Sequence, residues 1–125
     1  MPLSITNTTK GKLPRLPFAK MTEAILGKDY ECSLVIVSPR KSQALNKTYR
    51  EKNNATNILS FPLDEDEGEI FLDLETAKKD APSFDRTYAN FIGFLFIHAL
   101  FHLKGYDHSP QMERQEKKIC KMFDI

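Results

Sequence analysis

The sequence predicts an α/β (α+β) domain: one small mixed sheet of four strands, packed with about four to five helices, with a metal-binding helix lying across one face. Three features predict it. Strand-like and helix-like patterns alternate through the first half of the chain. Two strand patterns then follow one another with only an acidic turn between them, which makes an antiparallel pair. The longest helical pattern comes after that pair and carries two of the three histidines. A chain of 125 residues fits one domain with one core.

Leu3–Thr6 is the first strand pattern, and Thr8–Pro17, with Gly11, Pro14 and Pro17, is a loop. Phe18, Met21, Ile25 and Leu26 mark a helix over Phe18–Leu26, with Gly27 as its stop. Cys32–Val37 is a continuous apolar run rich in β-branched residues and reads as a buried strand. Ser38 is placed as an N-cap with Pro39 at the first helical position. That helix continues over Ser42–Tyr49 with Ala44, Leu45 and Tyr49 facing inward, and Asn46 and Arg50 near its end. Thr56–Leu63 is a strand in which Pro62 cannot donate a ladder hydrogen bond, so it belongs at an edge. The run DEDEGE is a turn, Glu69–Leu74 is the partner strand, and 76–82 is a polar connection. Pro82 and Ser83 open the longest helix, Phe84–Lys104, whose stripe of Tyr88, Phe91, Ile92, Leu95, Phe96, Ala99 and Leu103 faces the core. Ser109 and Pro110 start a last helix to about Phe123, amphipathic through Met112, Ile119 and Met122.

Composition narrows the function. The hydrophobic share of 41% is that of a folded globular chain. The N-terminal stretch has no signal-peptide pattern, and the apolar run Phe91–Leu103 is too short to span a bilayer. The expectation is a cytoplasmic protein with no membrane partner. Cys32 and Cys120 are too few for a disulfide framework and read as packing residues. Net charge is +1, but its distribution is uneven: 1–56 carries a balance of +6 and 57–97 a balance of −6. A basic N-terminal half suits a phosphate-attracting patch, or simply solvated helix faces.

The chemistry is concentrated in HALFHLKGYDH, residues 98–108, which holds every histidine of the chain: His98, His102 and His108. The first two are four apart on one helix, so they project from one face, as two ligands of one ion do. Gly105 is placed to cap the helix in a left-handed conformation and return His108 to the same ion. A zinc ion held by three imidazoles keeps a position open for water, the layout of a catalytic centre.

The spacing H-x-x-x-H-x-x-G-x-x-H is that of the metzincin zinc proteases, which carry a glutamate after the first histidine as general base. Ala99 stands there instead. The stretch resembles the H-G-x-L-H-L-x-G-Y-D-H signature of the YbeY family, the bacterial rRNA maturation endoribonucleases. His98, His102, Leu103, Gly105, Tyr106, Asp107 and His108 match it, while Ala99 and Phe101 replace Gly and Leu at positions that ligate nothing. LNKTYR (45–50), TNILSFP (56–62) and GEIFLD (68–73) resemble further segments of that family, in the same order.

The resemblance implies a mixed four-stranded sheet and a metal-dependent hydrolase domain spanning 1–125. It implies one Zn2+ per chain on His98, His102 and His108, and RNA (rRNA and the ribosome) as partner, with no DNA expected. Its function would be single-strand-specific cleavage in rRNA 3′-end maturation and ribosome quality control. Arg50 matches the family's motif arginine and suits charge stabilisation on phosphate oxygens, or is a solvated residue at a helix end. Asp107 suits a hydrogen bond to a ligand imidazole, or an Asx turn. Ser60 falls in a matched segment, but no histidine is spare to activate it. Two other readings stand beside this one: a metallopeptidase-like zinc hydrolase, against which Ala99 counts, and a non-catalytic zinc-stabilised ribosome-binding module.

Overall fold

A computed structural model describes residues 3–125. The strands β1 (Leu3–Asn7), β2 (Glu31–Ile36), β3 (Ile58–Asp64) and β4 (Glu67–Leu72) form one sheet in the order β1-β2-β4-β3. β1 and β4 flank β2 in parallel, and β3 runs antiparallel to β4. The sheet is thus mixed, and β3 with Pro62 is an edge strand, where a missing N–H costs no central ladder bond. A register shift between Pro62 and Asp64 marks the end of β3, and Leu63 there is exposed.

Burial alternates along β2 and β4. Cys32, Leu34 and Ile36 lie beside Gly68, Ile70 and Leu72, so one face of the sheet is apolar throughout. β2 is therefore buried on one face, with Ser33 and Val35 only half-buried on the other. Among the described residues five α-helices complete the fold: α1 (Phe18–Leu26), α2 (Pro39–Arg50), α3 (Leu74–Asp80), α4 (Tyr88–Leu103) and α5 (Pro110–Met122). α4 is the axis of the molecule. Ten of its residues are buried, so it is apolar around most of its circumference, as a helix packed between layers must be. It packs on β3, α1 and α5, and Phe96 meets Phe18 edge to face at 5.0 Å.

The structure corrects several boundaries. The connection 76–82 is not irregular: α3 fills 74–80, capped by Asp73, whose side chain accepts from the Thr76 N–H at 3.0 Å. The longest helix does not start at Phe84. Pro82 instead opens a 3-10 turn, Ala81–Phe84, which Asp85 stops at φ 53°, and Thr87 then caps α4. The turn after β3 is only Glu65–Asp66, and β4 begins at Glu67. In α2 the inward face is polar. Ser42 and Asn46 are buried, whereas Tyr49 is 65% exposed and Ala44 is exposed. The reason lies in the following loop. Ser42 Oγ donates to the Thr56 carbonyl at 2.6 Å and accepts from the Thr56 N–H at 2.9 Å, and Asn46 Nδ2 donates to the Asn54 carbonyl at 3.0 Å. α2 faces backbone that needs hydrogen-bond partners, so polar side chains win the buried positions. In α5, Met122 is exposed and the buried face is Met112, Glu116, Ile119 and Cys120.

Candidate metal centre

His98 and His102 occupy the last two turns of α4, with their Nε2 atoms 3.0 Å apart. The chain then reverses in a Schellman motif. The Gly105 N–H donates to the His102 carbonyl at 3.0 Å and the Tyr106 N–H to the Phe101 carbonyl at 3.1 Å. Gly105 adopts φ +108°, a conformation that side chains oppose, and Tyr106 packs edge-on against Phe101 at 5.6 Å. This reversal returns His108 to the helix end. Its ring centroid lies 5.0 Å from that of His98 and 4.6 Å from that of His102.

One ligand atom from each of the three rings lies within 4.8 Å of the others. Zn–N bonds of about 2.0–2.1 Å in a tetrahedral site place ligand nitrogens about 3.3 Å apart. The donor set therefore has the number, type and scale that one divalent ion requires.

The outer nitrogens of His98 and His102 are held. His98 Nδ1 lies 3.1 Å from both carboxylate oxygens of Glu116, a residue of α5 that is 7% exposed. His102 Nδ1 is 3.0 Å from the Tyr106 carbonyl, which accepts its proton. Both contacts leave Nε2 as the free lone pair of its ring, the arrangement a metal-binding imidazole needs. Burial pushes the His102 pKa below its ordinary value and neighbouring His98 adds to that; the Tyr106 carbonyl opposes them, His108 lowers it a little further and Glu116 opposes least. That direction favours the neutral imidazole, the form that ligates a metal.

The cluster opens onto a cleft of about 750 Å³ between β3 and the helix α4. Arg50, Ser60 and Asp107 all line it. Arg50 is exposed at the end of α2, where Glu51 turns the chain at φ 57° and the loop pinned by Ser42 and Asn46 begins. Asp107 is exposed, and among the described residues its carboxylate makes no hydrogen bond to an imidazole; Glu116 and the Tyr106 carbonyl hold those contacts. Ala99 is buried beside the cluster, so no carboxylate stands where a metzincin base would be. Cys32 and Cys120 are buried and lie outside the histidine cluster. Glu116 escaped the sequence reading. Its signal was an acid on the stripe Met112, Glu116, Ile119, where helical spacing calls for an apolar residue.

Comparison with known proteins decides the family. A family model described as Endoribonuclease YbeY matches residues 5–124. The chain belongs to the YbeY family. Relatives named Endoribonuclease YbeY include that of Alkaliphilus metalliredigens, 41% identical over 72% of this chain and 65% of its own length. That of Alkaliphilus oremlandii is 42% identical over 78% of this chain and 74% of its own. That of Staphylococcus aureus is 33% identical over 81% and 74%. This chain thus spans about two thirds to three quarters of the length of these YbeY relatives. The solution structure of TM1509 from Thermotoga maritima superposes with a TM-score of 0.67 at 29% identity, covering 95% of this chain and 87% of that one. No described helix is long and apolar enough to cross a membrane.

Proposed function

We propose that this chain is a zinc-dependent, single-strand-specific endoribonuclease that acts in the cytoplasm on rRNA 3′ ends and in ribosome quality control, through one hydrolase domain spanning 1–125. The observation that carries the reading is the convergence of three imidazoles in a cleft that is also lined by Arg50. The name borne by the relatives, Endoribonuclease YbeY, supports RNA as substrate. His98, His102 and His108 would hold the ion. A zinc ion there would supply Lewis acidity, polarising a phosphoryl oxygen and lowering the pKa of a nearby water toward ~7.

The chain's own residues set the rest. Glu116 and the Tyr106 carbonyl fix the tautomers of His98 and His102 and stop their rings turning. Arg50 reaches the cleft from α2 and suits stabilisation of charge building on non-bridging phosphate oxygens, where a planar guanidinium bonds two at once. Asp107, at the cleft wall, is available to a water or a ribose hydroxyl. A peptidase reading needs a base beside the first histidine, and Ala99 supplies none.

The test is a side-by-side assay of the metal-loaded protein on unstructured RNA, duplex RNA and an unstructured peptide, with His102→Ala as control. Cleavage of the unstructured RNA alone is expected. Peptide hydrolysis without RNA cleavage above the control would overturn the reading.

A further inference from the structure

We propose that Phe84 is a stacking platform that holds an unpaired base of the substrate beside the histidine cluster. The proposal rests on the endoribonuclease reading and adds a residue that determines which nucleic acid the cleft accepts. Phe84 ends the 3-10 turn before α4 and lines the same cleft as His98, His102 and His108. It is 53% exposed, while Phe91, on which it lies, is fully buried. The two rings stack with centroids 4.9 Å apart and planes 28° apart. One side of the Phe84 ring is therefore anchored on the core, and its exposed side is presented at a set tilt.

The ring contacts continue inward. Phe91 lies near-parallel to Phe94 at 6.2 Å and 18°, and Phe94 to His98 at 6.2 Å and 25°. Neighbouring aromatic rings thus link Phe84 to the first histidine of the cluster, although Phe84 and Phe94 themselves are inclined by 39° at 6.4 Å. Phe94 is already engaged, because the Arg86 guanidinium sits 4.4 Å from its centroid, and Arg86 is tied to the Asn90 side chain. Among the described residues lining the cleft, Phe84 is the one exposed phenylalanine or tyrosine.

Covering Phe91 needs only an apolar side chain. A nucleobase needs a π face. Bases inside a duplex are stacked on both sides, so a ring at the cleft rim accepts only an unpaired, unstacked one. The charges agree: among the described residues Arg50 is the one fixed cation lining the cleft and Asp107 the one acid, so phosphate and base can be received at different points of one cleft.

The chain has no tryptophan, so Phe84→Trp installs a single fluorescent reporter at the platform. Metal-stripped Phe84→Trp protein would be titrated with an unstructured RNA oligonucleotide and with a base-free sugar–phosphate strand of the same length. Quenching by the RNA and not by the base-free strand is expected; equal quenching by both would overturn the platform. In steady-state cleavage by the metal-loaded protein, Phe84→Leu should raise KM at least ~5-fold, the low end of what a base–aromatic stack contributes, with kcat within about twofold. Phe84→Tyr should keep the wild-type KM, and melting temperatures of all variants confirm folding. Wild-type KM in a folded Phe84→Leu protein overturns the platform alone. A wild-type protein that neither binds nor cleaves the RNA overturns the endoribonuclease reading, and the platform with it.

Discussion

His98 Nδ1 stands 3.1 Å from each carboxylate oxygen of Glu116, and this contact joins α4 to α5 across eighteen residues of sequence. It orients the first imidazole of the cluster and makes it a better donor to a cation. Glu116→Ala should weaken zinc binding by ~10–100-fold, the usual cost of losing such a partner. Glu116→Gln should recover part of the loss, since its amide oxygen still accepts from Nδ1–H. Competition with a chromophoric chelator measures both. Wild-type affinity in Glu116→Ala would remove Glu116 from the centre.

Gly105 sets the return of His108. At φ +108° a side chain is strained, so Gly105→Ala should cost ~1–3 kcal/mol of stability. Because the strain sits in the turn that carries His108, zinc affinity should fall with it. Denaturant unfolding and metal titration of the same variant check the two together. A loss of stability with unchanged zinc affinity would show that the turn and the centre are independent.

Arg50 is exposed, so Arg50→Ala should change stability by less than ~1 kcal/mol. If it neutralises charge on the phosphate as bonds break, the variant should lose ~2–4 kcal/mol of transition-state stabilisation. Arg50→Lys should not recover this fully, because an ammonium cannot reproduce the planar fork. Melting temperature, zinc content and RNA cleavage rate separate the roles. Near-normal cleavage by a folded, zinc-loaded Arg50→Ala protein would exclude Arg50 from the reaction.

Cys32 points into the apolar face of the sheet, 3% exposed, and burial pushes its thiol up to about 12. Its ordinary value is 9.0, so the native state keeps a proton that the unfolded chain releases as pH rises through that value. The stabilisation is complete below about pH 9 and is lost as pH climbs toward about 12. Cys32→Ala should therefore flatten the fall of stability with pH in that window, read by denaturant unfolding at several alkaline pH values. An unchanged slope would contradict it.

Much of this fold is legible locally. Ser38-Pro39 announces α2 and Ser109-Pro110 announces α5, because a cap hydroxyl and a preset φ act within one turn. His98, His102, Gly105 and His108 are readable for the same reason: one helical turn and one cap bring them together. α3 stayed hidden because LETAKKD is short and polar, burying only Leu74 and Ala77. The inward face of α2 stayed hidden because Ser42 and Asn46 serve backbone groups of a later loop, which hydrophobic spacing does not register. Glu116 meets His98, and Phe84 joins the cleft, through packing between separate elements, a relation that only the tertiary fold creates.

Metal stoichiometry and RNA cleavage, measured on the same preparations, decide whether His98, His102 and His108 hold the ion on which cleavage depends. The wild type should carry one divalent ion per chain, each His→Ala variant should lose it, and chelation should abolish RNA cleavage until zinc is restored. Undiminished cleavage by the chelated, metal-free protein, or full stoichiometry in all three variants, would contradict the assignment.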